Sequence, residues 1–249
     1  MLFSLATQDL GQNTLNRIAE FALSTQLNES ESLSVDIKTD PALLAQGKLA
    51  SLTIEGQGLV MQKDLRMQQM LISLENIAVS PIKALTGNIE LTETSRGKAD
   101  ILLQDRDINR AFNSETLRPQ MQNLKMQVDE QPVTLDVLAV ECHLLPQGAI
   151  GIDAKIQIQE TGEIQRIYFT SIPRIKDGGR GVALDHVSYA EGKELSPELT
   201  EALLKEARKI LNLNNFEMDG ISLEINELEV RKGELKLSAI AQITKFPKP

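Results

Sequence analysis

From Ile150 to Gln159 the chain reads IGIDAKIQIQ. Ile150, Ile152, Ala154, Ile156 and Ile158 alternate with Gly151, Asp153, Lys155, Gln157 and Gln159. Successive side chains of a strand point to opposite faces, so this segment is a strand with one dry face and one wet face. One-sided strands belong to antiparallel sheets, because parallel sheets are covered on both faces. Working outward, Thr161-Gly162 turns the chain into a strand from Ile164 to Ile172, and Asp177-Gly178-Gly179 turns it into another from Val182 to Tyr189.

Ser196-Pro197-Glu198 supplies an N-cap hydroxyl, a proline at the first helical position and an acid in the first turn, predicting a helix to about Leu211. Strands at Ile221–Val230 and Leu235–Ile243 follow, joined by Arg231-Lys232-Gly233. In the first of these the apolar phase switches between Ile225 and Leu228, which predicts a bulge near Asn226. A similar switch falls between Val137 and Leu138. Bulges at such places suggest a sheet that curls.

The first half repeats the theme. Leu15, Ile18, Ala19, Ala22 and Leu23 form the stripe of a core-facing helix running from Leu15 to Leu27. Strands are expected at Leu33–Lys38, Leu49–Met61 and Met67–Val79, separated by an Asp40-Pro41 break and a Lys63-Asp64 turn. A helical turn at Pro81–Leu85, one or two strands within Ile89–Leu103 and a short helix at Asp105–Phe112, capped by Asp105, complete this half. Shifted by 188 positions, Leu15, Ala19, Ala22 and Leu23 coincide with Leu203, Ala207, Ile210 and Leu211. Either helix–strand units at about 13–62 and 196–246 are an internal duplication within one elongated domain spanning 1–249, or apolar positions coincide by chance.

Two helices do not cover such a sheet. Roughly eight strands present an apolar face on the order of 1,500 Å², whereas two helices of about 15 residues cover about 450 Å² of it. The remainder is closed by the sheet itself, by another molecule, or by an apolar ligand held in a groove. Aromatic residues are 3% of the 249, with no Trp, so the interior is aliphatic and methionine-containing, which suits flexible apolar contents.

Charge and chemistry exclude several classes. A net charge of -9 argues against a nucleic-acid partner. The lone Cys142 rules out an intrachain disulfide. No run of about 18 apolar residues is present and the N-terminus lacks a basic segment before its apolar residues, so neither a transmembrane helix nor a signal peptide is expected. Cys142 and His143 are adjacent in a strand, hence on opposite faces, and cannot act as nucleophile and base. His186 has no His or Cys neighbour, Gly56-Gln57-Gly58 marks a bulge or close backbone approach, and Asp105, Asp107 and Asn109 suit a helix start better than a calcium loop. Catalytic residues, metal ligands and cofactors are therefore expected to be none. Arg166, Arg174, Lys176 and Arg180 make one segment locally basic and are the candidate contacts for a phosphate headgroup.

Several segments carry a family resemblance: Ile54 to Val60 (IEGQGLV) with the Met67–Val79 strand, Gly87 to Leu91 (GNIEL), Ile101 to Phe112 (ILLQDRDINRAF) and Tyr189 to Leu199 (YAEGKELSPEL). They resemble the LmeA-type phospholipid-binding family, along nearly the whole chain. The resemblance implies an α+β fold similar to tubular lipid-binding domains, with a long curved antiparallel sheet wrapped around amphipathic helices and an elongated apolar groove. It also implies glycerophospholipid binding, with some members linked to envelope glycolipid synthesis or lipid transfer. The missing signal peptide sets the chain apart from exported members and favours a cytoplasmic or peripheral inner-membrane location.

The expectation is a non-enzymatic binder of phospholipid or a similar amphipathic lipid, with Leu15, Ile18, Ala19, Ala22, Leu203, Ala207, Ile210 and Leu211 as candidate chain contacts. Peripheral membrane contact and a homo-oligomer are compatible with it. The competing expectation is an interaction module whose apolar sheet face is covered by a protein partner or by a second copy.

Overall fold

The computed structural model describes residues 2–61, 65–85, 90–128, 131–189, 204 and 220–245. The chain runs through helix α1 (Leu2–Ser24), strands β1 (Leu27–Glu29) and β2 (Ser32–Lys38), helix α2 (Pro41–Ala45), strands β3 (Lys48–Met61) and β4 (Arg66–Ala78), helix α3 (Pro81–Leu85), strand β5 (Ser95–Gln104) and helix α4 (Asp105–Phe112). Then come β6 (Leu124–Val128), β7 (Gln131–Leu144), β8 (Ile150–Ile158), β9 (Ile164–Lys176) and β10 (Gly181–Tyr189), followed by β11 (Ile221–Arg231) and β12 (Glu234–Ile243).

The pairing is antiparallel throughout the described strands and falls into two sheets. One has seven strands in the order β1-β3-β4-β5-β12-β11, with β2 also pairing β3, and the other has five in the order β10-β9-β8-β7-β6. Because β12 returns to pair with β5, the smaller sheet is an insertion between neighbouring strands of the larger one. The α+β class with a curled antiparallel sheet is as the sequence implied; the division into two hydrogen-bonded sheets is the added detail.

The register shows why the larger sheet has one dry face. Val35, Ile54, Ile72, Ala99, Ala239 and Ile225 stand side by side across β2, β3, β4, β5, β12 and β11, and every one is buried. Both foreseen bulges occur: pairing slips between Ile225 and Glu227 on β11 and between Val137 and Ala139 on β7. Each adds a residue to one strand and bends it, so the dry face becomes concave.

Helix α1 fills one end of this concavity, with Leu15, Ala19 and Leu23 in the main core. It also covers the outer edge of β2, since the Ile37 N–H donates to Asn16 Oδ1 at 2.9 Å and the Val35 N–H to Glu20 Oε1 at 3.0 Å. Side chains four apart on a helix lie on one face, and alternate N–H groups of a strand point to one edge, so the two spacings match. The helix is longer than its stripe suggested at the N-terminal end, and Leu27 begins β1 instead of ending the helix. The Asp40-Pro41 break is itself the start of α2, where the Leu43 N–H donates to Asp40 Oδ1 at 2.8 Å. The helix foreseen from Ser196 to Leu211 lies, apart from Leu204, outside the described residues.

Helix α4 has the expected bounds, but it is not capped by Asp105. Its cap is Gln104, whose N–H donates to Asp107 Oδ2 at 2.8 Å. Asp105 is released from capping and instead accepts the Leu144 N–H of β7 at 2.9 Å. The two sheets are pinned elsewhere as well: the Gly233 N–H in the β11–β12 turn donates to Leu144 O at 2.9 Å. Gly179, at φ +88°, lies so close to β11 that a Cβ there would stand 2.6 Å from Ile225 O. Only glycine fits that approach.

Candidate functional site

Between the sheets lies a cleft lined by carbon and sulfur. The larger sheet contributes Met67, Met70, Ile101, Leu103, Leu235, Leu237 and Ala239 with Ile221, Leu223, Ile225 and Leu228 of β11; the smaller contributes Val137, Val140, Cys142, Ile150, Ile152, Ala154, Ile156, Ile167, Phe169 and Leu184. Ile108, Ala111 and Phe112 of α4 bridge the two walls. The space is about 2020 Å³ counted out to its open mouth. By the same measure the gap beneath α1, bordered by Leu23, Leu27, Leu33, Ile54, Leu59 and Met70, is about 240 Å³. The concave face is therefore filled at the α1 end and open between the sheets.

Sequence-based candidates divide accordingly. Leu15, Ala19 and Ala22 are buried and Ile18 half-buried, but they pack at the α1 end and do not line the cleft. Leu203, Ala207, Ile210 and Leu211 lie outside the described residues. Arg166, Arg174 and Lys176 share a strand face with Tyr168 and Ile172, the face opposite the cleft-lining Ile167, Phe169 and Pro173. They are matched by acids there: Arg166 holds Asp153 at 2.8 Å, while Arg174 and Lys176 stand 3.6 and 3.7 Å from Asp185. Arg180 is exposed in the turn just before β10.

The residues that do line the cleft were not among the sequence-based candidates, although a signal for them exists. Ile150, Ile152, Ala154 and Ile156 are the dry face of the opening segment, and Ile108, Ala111 and Phe112 have the i, i+3, i+4 spacing of a helix stripe. What the residues alone did not say is that these two faces look at each other across open space.

Cys142 faces the cleft and is 2% exposed. Burial, reinforced by the Asp105 carboxylate, pushes its thiol up to about 12, so it is an unreactive wall residue. His143 points the other way, 3.9 Å from Glu141, as adjacent strand residues must. Among the described residues no group of three or more His, Cys, Asp or Glu side chains could hold a metal ion, and no helix is long and apolar enough to cross a membrane.

A charged cluster links β4 to α4. Arg66 alternates with the lining residue Met67 along β4, so its side chain faces away from the cleft. Its guanidinium donates to the fully buried Asp107 carboxylate at 2.7 Å, to Glu31 at 2.6 Å and to Gln68 Oε1 at 3.0 Å. Arg106 of α4 donates to the same Gln68 oxygen at 2.6 Å. The two carboxylates raise the pKa of Arg66, the bond to Asp107 most of all.

The family model for LmeA-like phospholipid-binding proteins matches residues 6–240. The chain belongs to the LmeA-like phospholipid-binding family. Neither a curated protein nor a solved structure matches it. In this LmeA-like chain the matched span begins within α1, ends within β12 and contains the whole smaller sheet, α4 and all the cleft-lining residues. Phospholipid binding is accordingly the activity of the family to which this cleft belongs.

Proposed function

We propose that this protein binds phospholipid, or a similar amphipathic lipid, by taking its acyl chains into the cleft between the two sheets. The observation that carries this reading is the lining, an uninterrupted carbon and sulfur surface from Met67 on one sheet to Leu184 on the other. Each methylene moved from water into such a lining gains about 0.8 kcal/mol, so a long chain is held by desolvation alone. The protein acts as a binder that carries or senses lipid, not as an enzyme, and the whole chain works as one unit because both sheets build the one cleft. Contact with a membrane surface is needed only for loading and release.

Native mass spectrometry of the purified protein, with extraction and lipid analysis, tests this. Stoichiometric phospholipid is expected, or saturable uptake of added phospholipid by protein stripped of it. A protein that is lipid-free and takes up none, while associating with itself as concentration rises, would instead favour coverage of the apolar surface by a second copy.

A further inference from the structure

One row of residues crosses the dry face of the larger sheet from the filled end to the open one. Leu33, Gly56, Met70, Ile101, Leu237 and Leu228 stand side by side on β2, β3, β4, β5, β12 and β11. Leu33 borders the gap beneath α1, whereas Ile101, Leu237 and Leu228 line the cleft. Among the described residues Met70 alone borders both spaces, so its side chain is the partition between them. Resting on the lipid-binding reading above, we propose that Met70 sets the length of acyl chain the cleft accepts, by closing off a further apolar space of about 240 Å³ behind it.

The same row explains why a gap lies there. Gly56 puts no side chain between Leu33 and Met70, and the space it leaves is only partly taken by Leu59, whose Cδ1 would stand 2.5 Å from a Cβ at Gly56. Met70 is 4% exposed, and the other residues around the gap, Leu23, Leu27, Leu33, Ile54 and Leu59, are all aliphatic. A terminal methyl that passes the thioether therefore meets only carbon. The methyl end of a lipid is the end that belongs here, because this lining offers a polar headgroup no partner. Methionine suits such a partition: its unbranched side chain turns about three bonds and yields, where a β-branched residue is held to one χ1. Each methylene that gains cover strengthens binding about fourfold. Affinity thus climbs with chain length until the methyl reaches Met70, and then stops climbing.

The test offers the full chain, stripped of lipid, an equimolar detergent-solubilised pool of phosphatidylcholines with two identical saturated chains, from dilauroyl to dibehenoyl. Native mass spectrometry reads which species are bound. Because the pool is common to all variants, differences in micelle partitioning cancel between them. Wild type is expected to show a preferred length, with longer species excluded. Met70→Ala should move that preference at least one step up the series, and Met70→Phe should move it down. Met70→Val, a smaller truncation, is the second lengthening variant should the alanine protein not fold. Leu33→Phe fills the gap from its far side, so adding it to Met70→Ala should cancel the lengthening, which a mere loosening of the core would survive. The partition is overturned if the folded variants bind the wild-type distribution, or if Leu33→Phe fails to reverse the shift. Uptake of no species by wild type would sink the lipid reading itself, a result distinct from an unchanged distribution.

Discussion

Asn109 holds the backbone of Cys142 from both sides: the Cys142 N–H donates to Asn109 Oδ1 at 2.6 Å and Asn109 Nδ2 donates to Cys142 O at 2.9 Å. It is the middle member of a series on α4 and the turn after it. Asp105 accepts the Leu144 N–H, and Gln122 donates to Val137 O at 2.8 Å. Beyond the short pairing with β6, this edge of β7 would otherwise present bare backbone groups, which are a hazard in any sheet. The helix thus replaces a neighbouring strand with amide and carboxylate side chains, and in doing so sets its own apolar stripe over the cleft.

Asn109→Leu should be strongly destabilising. It leaves both backbone groups of Cys142 without their partners, each costing about 1–3 kcal/mol. Urea unfolding should show a loss of about 2–4 kcal/mol, and an unchanged midpoint would mean that water or another side chain replaces Asn109.

Removing Arg66 is expected to cost more than removing its partner Asp107 together with it. Arg66→Met strands a buried carboxylate, for which a loss of about 3–5 kcal/mol is expected. The double variant Arg66→Met, Asp107→Leu should recover much of that, because neither charge then remains in the interior. Thermal or urea unfolding of the two variants decides it; equal losses would show that the ion pair contributes net stability.

Cys142 predicts an alkaline weakness. Its thiol is raised from 9.0 to about 12 in the folded chain, so the folded state keeps a proton that the unfolded state gives up. Stability from this group is complete below the ordinary thiol range and is lost as pH climbs through it towards 12. By pH 10.5 the loss is about 2 kcal/mol. Cys142→Ala should lack this component, so the difference in unfolding free energy between pH 8 and pH 10.5 should be smaller in the variant than in wild type. Thiol reagents at pH 8 should label native protein slowly and unfolded protein fast.

Filling the cleft should separate stability from binding. Ala154 lines it from β8, and in an ordinary packed core a change to Phe would cost about 1–3 kcal/mol. Here the ring enters open space, so Ala154→Phe should leave the unfolding midpoint unchanged or raised while lowering phospholipid uptake several-fold. A destabilised variant with normal uptake would place the lipid elsewhere.

Much of the architecture was legible residue by residue. Period-2 alternation in IGIDAKIQIQ and in Leu235–Ile243 gave the strands, and the phase switches at Val137 and Ile225 gave the bulges, because local sterics set the two-residue repeat. Helix edges were less legible. Asp105 reads as a cap in isolation, and only the edge of β7 beside it turns its carboxylate outward to Leu144.

By itself the sequence determined that this is a one-sided antiparallel protein with more apolar sheet than its helices cover, since burial follows from pattern and area. It did not determine where the uncovered surface lies. Leu15 and Ala19 have the same apolar stripe as Ile108 and Ala111, yet the first pair closes one end of the concave face and the second borders the cleft. That choice was made by long-range pairing of β12 with β5 and by the insertion of a second sheet between them. Hydrophobicity is non-directional, and only the tertiary arrangement decides which apolar faces meet and which are left open to a ligand.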